Sequence, residues 1–158
     1  MTRCYGRALK GKRVLDYAPH GHWTTTTLVA AITWEAAIAP MVLDGPMDTQ
    51  SFEAYVAQVL IPELPPRTIV VMDNLSAHKS PTIQKLFEGA GVELRYLPPY
   101  SPDFNPIELM WAKAKNHLRT AKARTQEQLY GAIACALEQI TPKDIQGFFR
   151  HCNVCIKT

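Results

Sequence analysis

A chain of 158 residues with 47% hydrophobic and 20% charged residues can bury roughly 68–70% of its unfolded surface as one domain, which excludes a disordered polymer. No apolar run approaches the roughly 20 residues of a membrane helix, and the start Met1-Thr2-Arg3-Cys4-Tyr5-Gly6 has no apolar stretch behind its charges. Neither a membrane span nor a secretory signal is expected, and the chain is placed in the cytosol.

The net charge of +3 conceals a segregation. Residues 1–13 carry five Lys or Arg and no acid, residues 14–110 carry four against eleven acids, and residues 111–124 carry five against none. An acidic middle between basic flanks suits a metal site bordered by phosphate contacts, although a solvated helix face explains a basic segment equally well.

In chain order, Lys12 to Ala18 reads as a short strand ended by Pro19-His20-Gly21. Thr24 to Thr33, rich in β-branched residues, predicts a second strand, and Ile38 to Leu43 a third that closes on Asp44-Gly45-Pro46. Together they predict an antiparallel meander. Asp48 should cap an amphipathic helix through Phe52, Tyr55, Val56, Val59 and Leu60, stopped by Pro62 and Pro65-Pro66. Thr68 to Asp73 is an unbroken apolar run, the pattern of a central strand covered on both faces. A helix from Pro81 to Gly89 and a strand from Val92 to Leu97 complete a βαβ unit with parallel strands. Three helices follow, from Pro106 to about Leu118, from Thr125 to Ile140, and from Pro142 through Phe149. Trp23, Trp34 and Trp111 read as core or rim packing.

The chemistry is concentrated in two acids separated by thirty-four residues. Asp73 ends the apolar strand, and Glu108 follows the loop Pro98-Pro99-Tyr100-Ser101-Pro102-Asp103-Phe104-Asn105-Pro106, whose four prolines lower the entropy of holding it in shape. Two such carboxylates can share a hard divalent cation, since Mg2+ takes oxygen ligands and usually keeps waters and substrate phosphate. That points to phosphoryl transfer on nucleic acid. Each acid also has a plainer role, Asp73 capping the turn through Asn74 and Glu108 lying at a helix start where the dipole favours it. Asn105 caps its helix in the simplest reading, and Asp103 forms a turn. Cys152 and Cys155 with His151 have the gap of a zinc knuckle, but Cys135 has no near partner, so free thiols are expected.

The segments Val70-Val71-Met72-Asp73-Asn74-Leu75-Ser76-Ala77-His78-Lys79 and Tyr96-Leu97-Pro98-Pro99-Tyr100-Ser101-Pro102-Asp103-Phe104-Asn105-Pro106-Ile107-Glu108 closely resemble the catalytic domain of bacterial insertion-sequence transposases of the mariner superfamily. Gly21 to Thr27 and Val42 to Pro46 extend the resemblance over nearly the whole chain, taken as one DDE domain over residues 1–158. It implies an α/β fold, a ribonuclease-H-like mixed sheet flanked by helices. It also implies Asp73 and Glu108 as the second and third acids of an Asp-Asp-Glu metal triad holding Mg2+ or Mn2+. Asn74 and His78 match the family pattern as phosphate or metal-water contacts, and Lys113, Lys115 and Arg119 are placed to follow a DNA backbone. The implied partners are double-stranded DNA, both transposon ends and target, a second copy in a homodimer, and an upstream helix-turn-helix segment in a bacterial, nucleoid-associated protein.

The family's first aspartate lies on a strand upstream of the stretch resembling Tyr5-Gly6-Arg7-Ala8. The expectation is therefore a domain lacking its first strand and first carboxylate, inactive alone, with unpaired strand edges prone to association. Asp16 and Asp44 match it by residue type but not by position. Two other classes remain open, a catalytically dead DNA-binding or oligomerisation module and a metal-dependent nuclease unrelated to transposition.

Overall fold

The computed structural model describes residues 6–15 and 24–154. Strand β1 (Thr26–Ile32) pairs antiparallel with β2 (Ala37–Asp44), Thr26 opposite Asp44 and Ile32 opposite Ala37. Between them the Thr33 hydroxyl accepts from the N–H groups of Glu35 and Ala36 at 3.2 and 3.1 Å, closing the turn. The register slips between Val29 and Ala31, opposite Ala39 at φ +50 and Pro40, the geometry of a bulge. Side chains from the following helix secure that irregular point. Glu63 accepts from the Ala39 N–H at 2.8 Å and the Tyr55 hydroxyl donates to the Ala39 carbonyl at 2.9 Å, so both buried backbone groups have partners.

The first strand of the expected meander is not formed among the described residues. Lys12 to Leu15 are exposed and irregular, and the rest of that stretch, with Asp16, His22 and Trp23, lies outside the described residues. Extended backbone becomes a strand only when a neighbour takes its hydrogen bonds, and among the described residues none does. Among the described residues the meander is therefore a hairpin.

Helix α1 (Thr49–Tyr55) begins as expected, the Asp48 carboxylate accepting from the Ser51 N–H at 2.7 Å. Pro62 does not stop it. The chain widens into a π-helical stretch, Val56–Leu60, in which the Ile61 N–H reaches back five residues to the Val56 carbonyl, and continues as α2 (Ile61–Glu63). Proline lacks the N–H an α-turn needs and crowds the preceding turn, and the wider spiral relieves that crowding. The chain turns extended only at Leu64, before Pro65-Pro66.

Strand β3 (Ile69–Met72) and β4 (Glu93–Tyr96) pair in parallel across α3 (Pro81–Gly89), giving the predicted βαβ unit. Helices α4 (Pro106–Ala121), α5 (Gln126–Glu138) and α6 (Pro142–His151) complete the chain. Thr125 and Thr141 cap α5 and α6, the latter in a reciprocal box with Asp144. Among the described residues the strands thus form two separate two-stranded sheets.

Alternation along β1 explains the layering. Val29 and Ala31 join the main core of Phe52, Tyr55, Val56, Leu60, Met72, Ile83 and Phe87, whereas Leu28, Ala30 and Ile32 pack under Met110, Leu118, Ile133 and Ile145 of α4, α5 and α6. Trp111 bridges the two helical clusters, and Trp34 meets Phe149 edge-on at 5.5 Å. The expected double coverage of β3 fails. Val70 and Met72 enter the main core, but Ile69 and Val71 are 49% and 55% exposed, because the carboxyl-terminal helices spend their apolar faces on the hairpin and on one another.

Candidate functional site

Parallel strands open at their carboxyl ends, where the chain must leave the sheet and where side chains from successive loops converge. Here β3 delivers Asp73 and β4 delivers Leu97, whose N–H still bonds the Met72 carbonyl at 2.8 Å. The loop after β4 folds back to α4, with Pro106 as the first helical residue and Glu108 in the first turn. Asp73, Asn74, Lys79, Tyr100, Asn105 and Glu108 consequently line one open cleft of about 530 Å3.

Asp73 is held from its own side of the cleft. Its Oδ1 accepts from the Leu75 N–H at 3.2 Å, the turn anticipated for a strand-ending aspartate, and stands 2.6 Å from His78 Nδ1. That nitrogen is buried, lies off the line of a good hydrogen bond to the carboxylate, and has no other partner. The His78 ring stacks on Phe52 at 4.4 Å between centroids, and its carbonyl accepts from the Tyr96 hydroxyl at 2.8 Å. Ser80, the cap of α3, donates to Glu53 of α1. His78 therefore faces Asp73 from behind while the carboxylate, 38% exposed, remains open to the cleft.

Glu108 is exposed at the cleft wall. Asn105 departs from expectation, making no side-chain cap bond to α4 and lining the cleft instead. A proline at the first helical position does not forbid a cap, since Ser80 and Thr141 cap α3 and α6 ahead of Pro81 and Pro142, so the Asn105 amide is free for the cleft by its own orientation. Asp103, in the short turn Pro102–Phe104, is exposed and off the cleft.

The basic helix divides by face. Lys115 and Arg119 lie seven and eleven residues beyond Glu108, about two and three turns, and return to its face roughly 10 and 16 Å along the axis. Lys115 is exposed, and Arg119 contacts only the Asn116 amide at 3.3 Å among the bonds seen for it. Lys113 is rotated about 140° from Glu108. Its ammonium donates to Asp144 at 2.6 Å, joining α4 to α6, which removes it from the set of free phosphate contacts.

Asp44 is committed elsewhere, accepting from Tyr130 and Gln126 of α5 at 2.6 Å each. It does not stand in for a third carboxylate. Among the described residues no three His, Cys, Asp or Glu side chains converge as a metal cluster. Cys135 is exposed and Cys152 buried, both free thiols, with burial pushing the Cys152 thiol up and the nearby Asp103 adding to the effect. Cys155 lies outside the described residues. Two cleft residues escaped sequence reasoning, Lys79 and Tyr100. The signal for Lys79 was its place directly after His78 in a segment otherwise poor in cations; Tyr100 carried none beyond its neighbouring prolines.

A family model described as DDE superfamily endonuclease matches residues 1–130. The chain belongs to that family. This DDE-family chain is 36% identical over 61 residues to the Tcb2 transposase of Caenorhabditis briggsae, covering 39% of the chain and 22% of the relative. The Tcb1 transposase of the same organism is 27% identical over 106 residues, covering 65% of the chain and 39% of the relative. The chain thus spans well under half the length of these curated relatives. A solved structure of the Mos1 mariner paired-end complex with Mn superposes with a TM-score of 0.68 at 15% identity, over 94% of this chain and 47% of that one. The fold is the ribonuclease-H-like α/β arrangement. No helix among the described residues is long and apolar enough to cross a membrane.

Proposed function

We propose that this DDE-family chain is the catalytic domain of an insertion-sequence transposase, cleaving and joining DNA strands with Mg2+ or Mn2+. The observation that carries the reading is the meeting of Asp73 and Glu108, from a strand end and a helix start, on one cleft. The donor set fits a hard cation, since carboxylates and the Asn74 and Asn105 amides face the cleft and no thiol or imidazole lines it among the described residues. Asp73 and Glu108 would hold the metal. When bound, it polarises the phosphoryl oxygen and activates water or a 3′-hydroxyl for in-line displacement.

The remaining work falls to the chain. The Leu75 N–H holds the Asp73 carboxylate, and His78, packed on Phe52, backs it with Nδ1 2.6 Å from the same oxygen; outer partners of this kind restrict a ligand to one orientation. Asn74 and Lys79 meet phosphate oxygens inside the cleft, and Lys115 and Arg119 carry the backbone along α4 away from Glu108. These contacts position DNA without reading its sequence. A second copy of the chain and a helix-turn-helix segment are the further partners of this reading. With two carboxylates on the cleft among the described residues, the 158-residue chain by itself holds the cation weakly and does not join strands.

Calorimetric titration with Mn2+ tests the assignment on wild type, Asp73→Asn and Glu108→Gln. Both variants should lose at least about tenfold in affinity, in the range that metal-site substitutions show. Equal binding by all three chains would remove the metal site. That result would favour the second reading, a DNA-binding or oligomerisation module without chemistry, which the lack of a three-carboxylate group among the described residues supports.

A further inference from the structure

Among the described residues Tyr100 covers nothing. Its side chain is fully exposed, with a relative accessibility of 102%, and its backbone sits at φ +56, the left-handed region that a bulky L residue avoids. A glycine or asparagine would make the same turn without that penalty, so the ring is not there to serve the turn. The loop around it is stiff. Pro98, Pro99 and Pro102 fix their own backbone, and the Ser101 hydroxyl donates to the Pro99 carbonyl at 3.2 Å. An aromatic face is therefore held out into solvent on the same cleft as Asp73, Lys79 and Glu108.

A flat π-face in water gains most by stacking on another flat face. Beside a cation suited to phosphate, the matching partner is a nucleobase, and only an unpaired base offers a free face away from a duplex end. We infer that Tyr100 is a stacking platform for an unpaired base next to the phosphate that Asn74 and Lys79 meet in the cleft of Asp73 and Glu108. The cleft thus takes DNA with a frayed or single-stranded nucleotide at the reacting position in preference to intact duplex. This rests on the reading that the cleft acts on DNA and adds the strand state it selects.

The test uses fluorescence anisotropy with two dye-labelled DNAs, a blunt duplex and the same duplex carrying a short single-stranded extension. Wild type and Tyr100→Phe should bind the extended DNA more tightly than the blunt one. Tyr100→Ala and Tyr100→Gly should lose about 5- to 150-fold on the extended DNA and nothing on the blunt duplex, the range expected for one stacked base. The glycine variant relieves the backbone at this position, so its unfolding midpoint should not fall. Equal losses on both DNAs, or an alanine variant that keeps the preference, would overturn the inference. Wild type that binds both DNAs alike overturns the stacking role alone, whereas wild type that binds neither removes the DNA reading as well.

Discussion

Replacing Lys113 by methionine keeps the aliphatic stem against the helix and deletes only the ammonium that sits 2.6 Å from Asp144. Lys113, with the Thr141 hydroxyl and backbone behind it, holds the Asp144 carboxyl down from 3.8 to about 2. Even before solvent screening, that drop is worth no more than roughly 2–3 kcal/mol. The lysine and aspartate side chains are 39% and 30% exposed, so solvent screening cuts the sum, and the lysine's share comes to roughly 0.5–1 kcal/mol. A carboxyl with a lowered folded pKa contributes stability that is fully present above its unfolded value and lost as pH falls through the folded one. Lys113→Met should therefore unfold about 1–4 °C below wild type at pH 7. The gap should persist at pH 5 and close between pH 4 and pH 2. Thermal unfolding followed by circular dichroism at these pH values reads it directly. The same variant, titrated onto DNA over a range of salt, should leave the slope of log K against log salt unchanged. Lys115→Met and Arg119→Met should each reduce that slope by about 0.9. A Lys113 variant as stable as wild type at pH 7, or one that lowers the salt slope like Lys115→Met, would refute the assignment of this lysine to the α4–α6 contact.

Tyr55→Phe should cost about 1–2 kcal/mol by leaving the buried Ala39 carbonyl without a donor; the urea midpoint should fall with an unchanged m-value, and an unmoved midpoint would show that the bulge needs no clamp. Burial, with Glu63 nearby, pushes the Tyr55 hydroxyl up, so this contact should not respond to pH between 5 and 9. Val71→Lys places a charge on the open face of β3 and should reduce concentration-dependent association in light scattering while leaving the unfolding midpoint within about 0.5 kcal/mol of wild type. Association that stays the same would place the sticky surface elsewhere.

Much of this protein was legible from local chemistry. Asp48, Thr125 and Thr141 cap helices because a short side-chain oxygen reaches the orphan N–H groups beside it, and Pro81 and Pro106 start helices because the missing donor costs nothing there. The same reach made Asp73 and Glu108 stand out, one at a strand end and one after a stiff loop. The partner of Lys113 was not legible for a different reason: charge along a sequence says nothing about which face of a helix meets a neighbour, and Asp144 lies thirty-one positions away.

What the sequence determined by itself was whatever depends on neighbours within a turn or two of backbone: the two strands read at 24–33 and 38–43, the helix starts, the βαβ unit and the places of Asp73 at a strand end and Glu108 at a helix start. Tertiary structure alone decided how the elements were spent. Packing α4 to α6 on the hairpin left Ile69 and Val71 in water, Pro62 was absorbed by a wider spiral, and Asn105 turned to the cleft. Burial and pairing are properties of surfaces brought together from distant parts of the chain, and each apolar face or ionic group can be used only once.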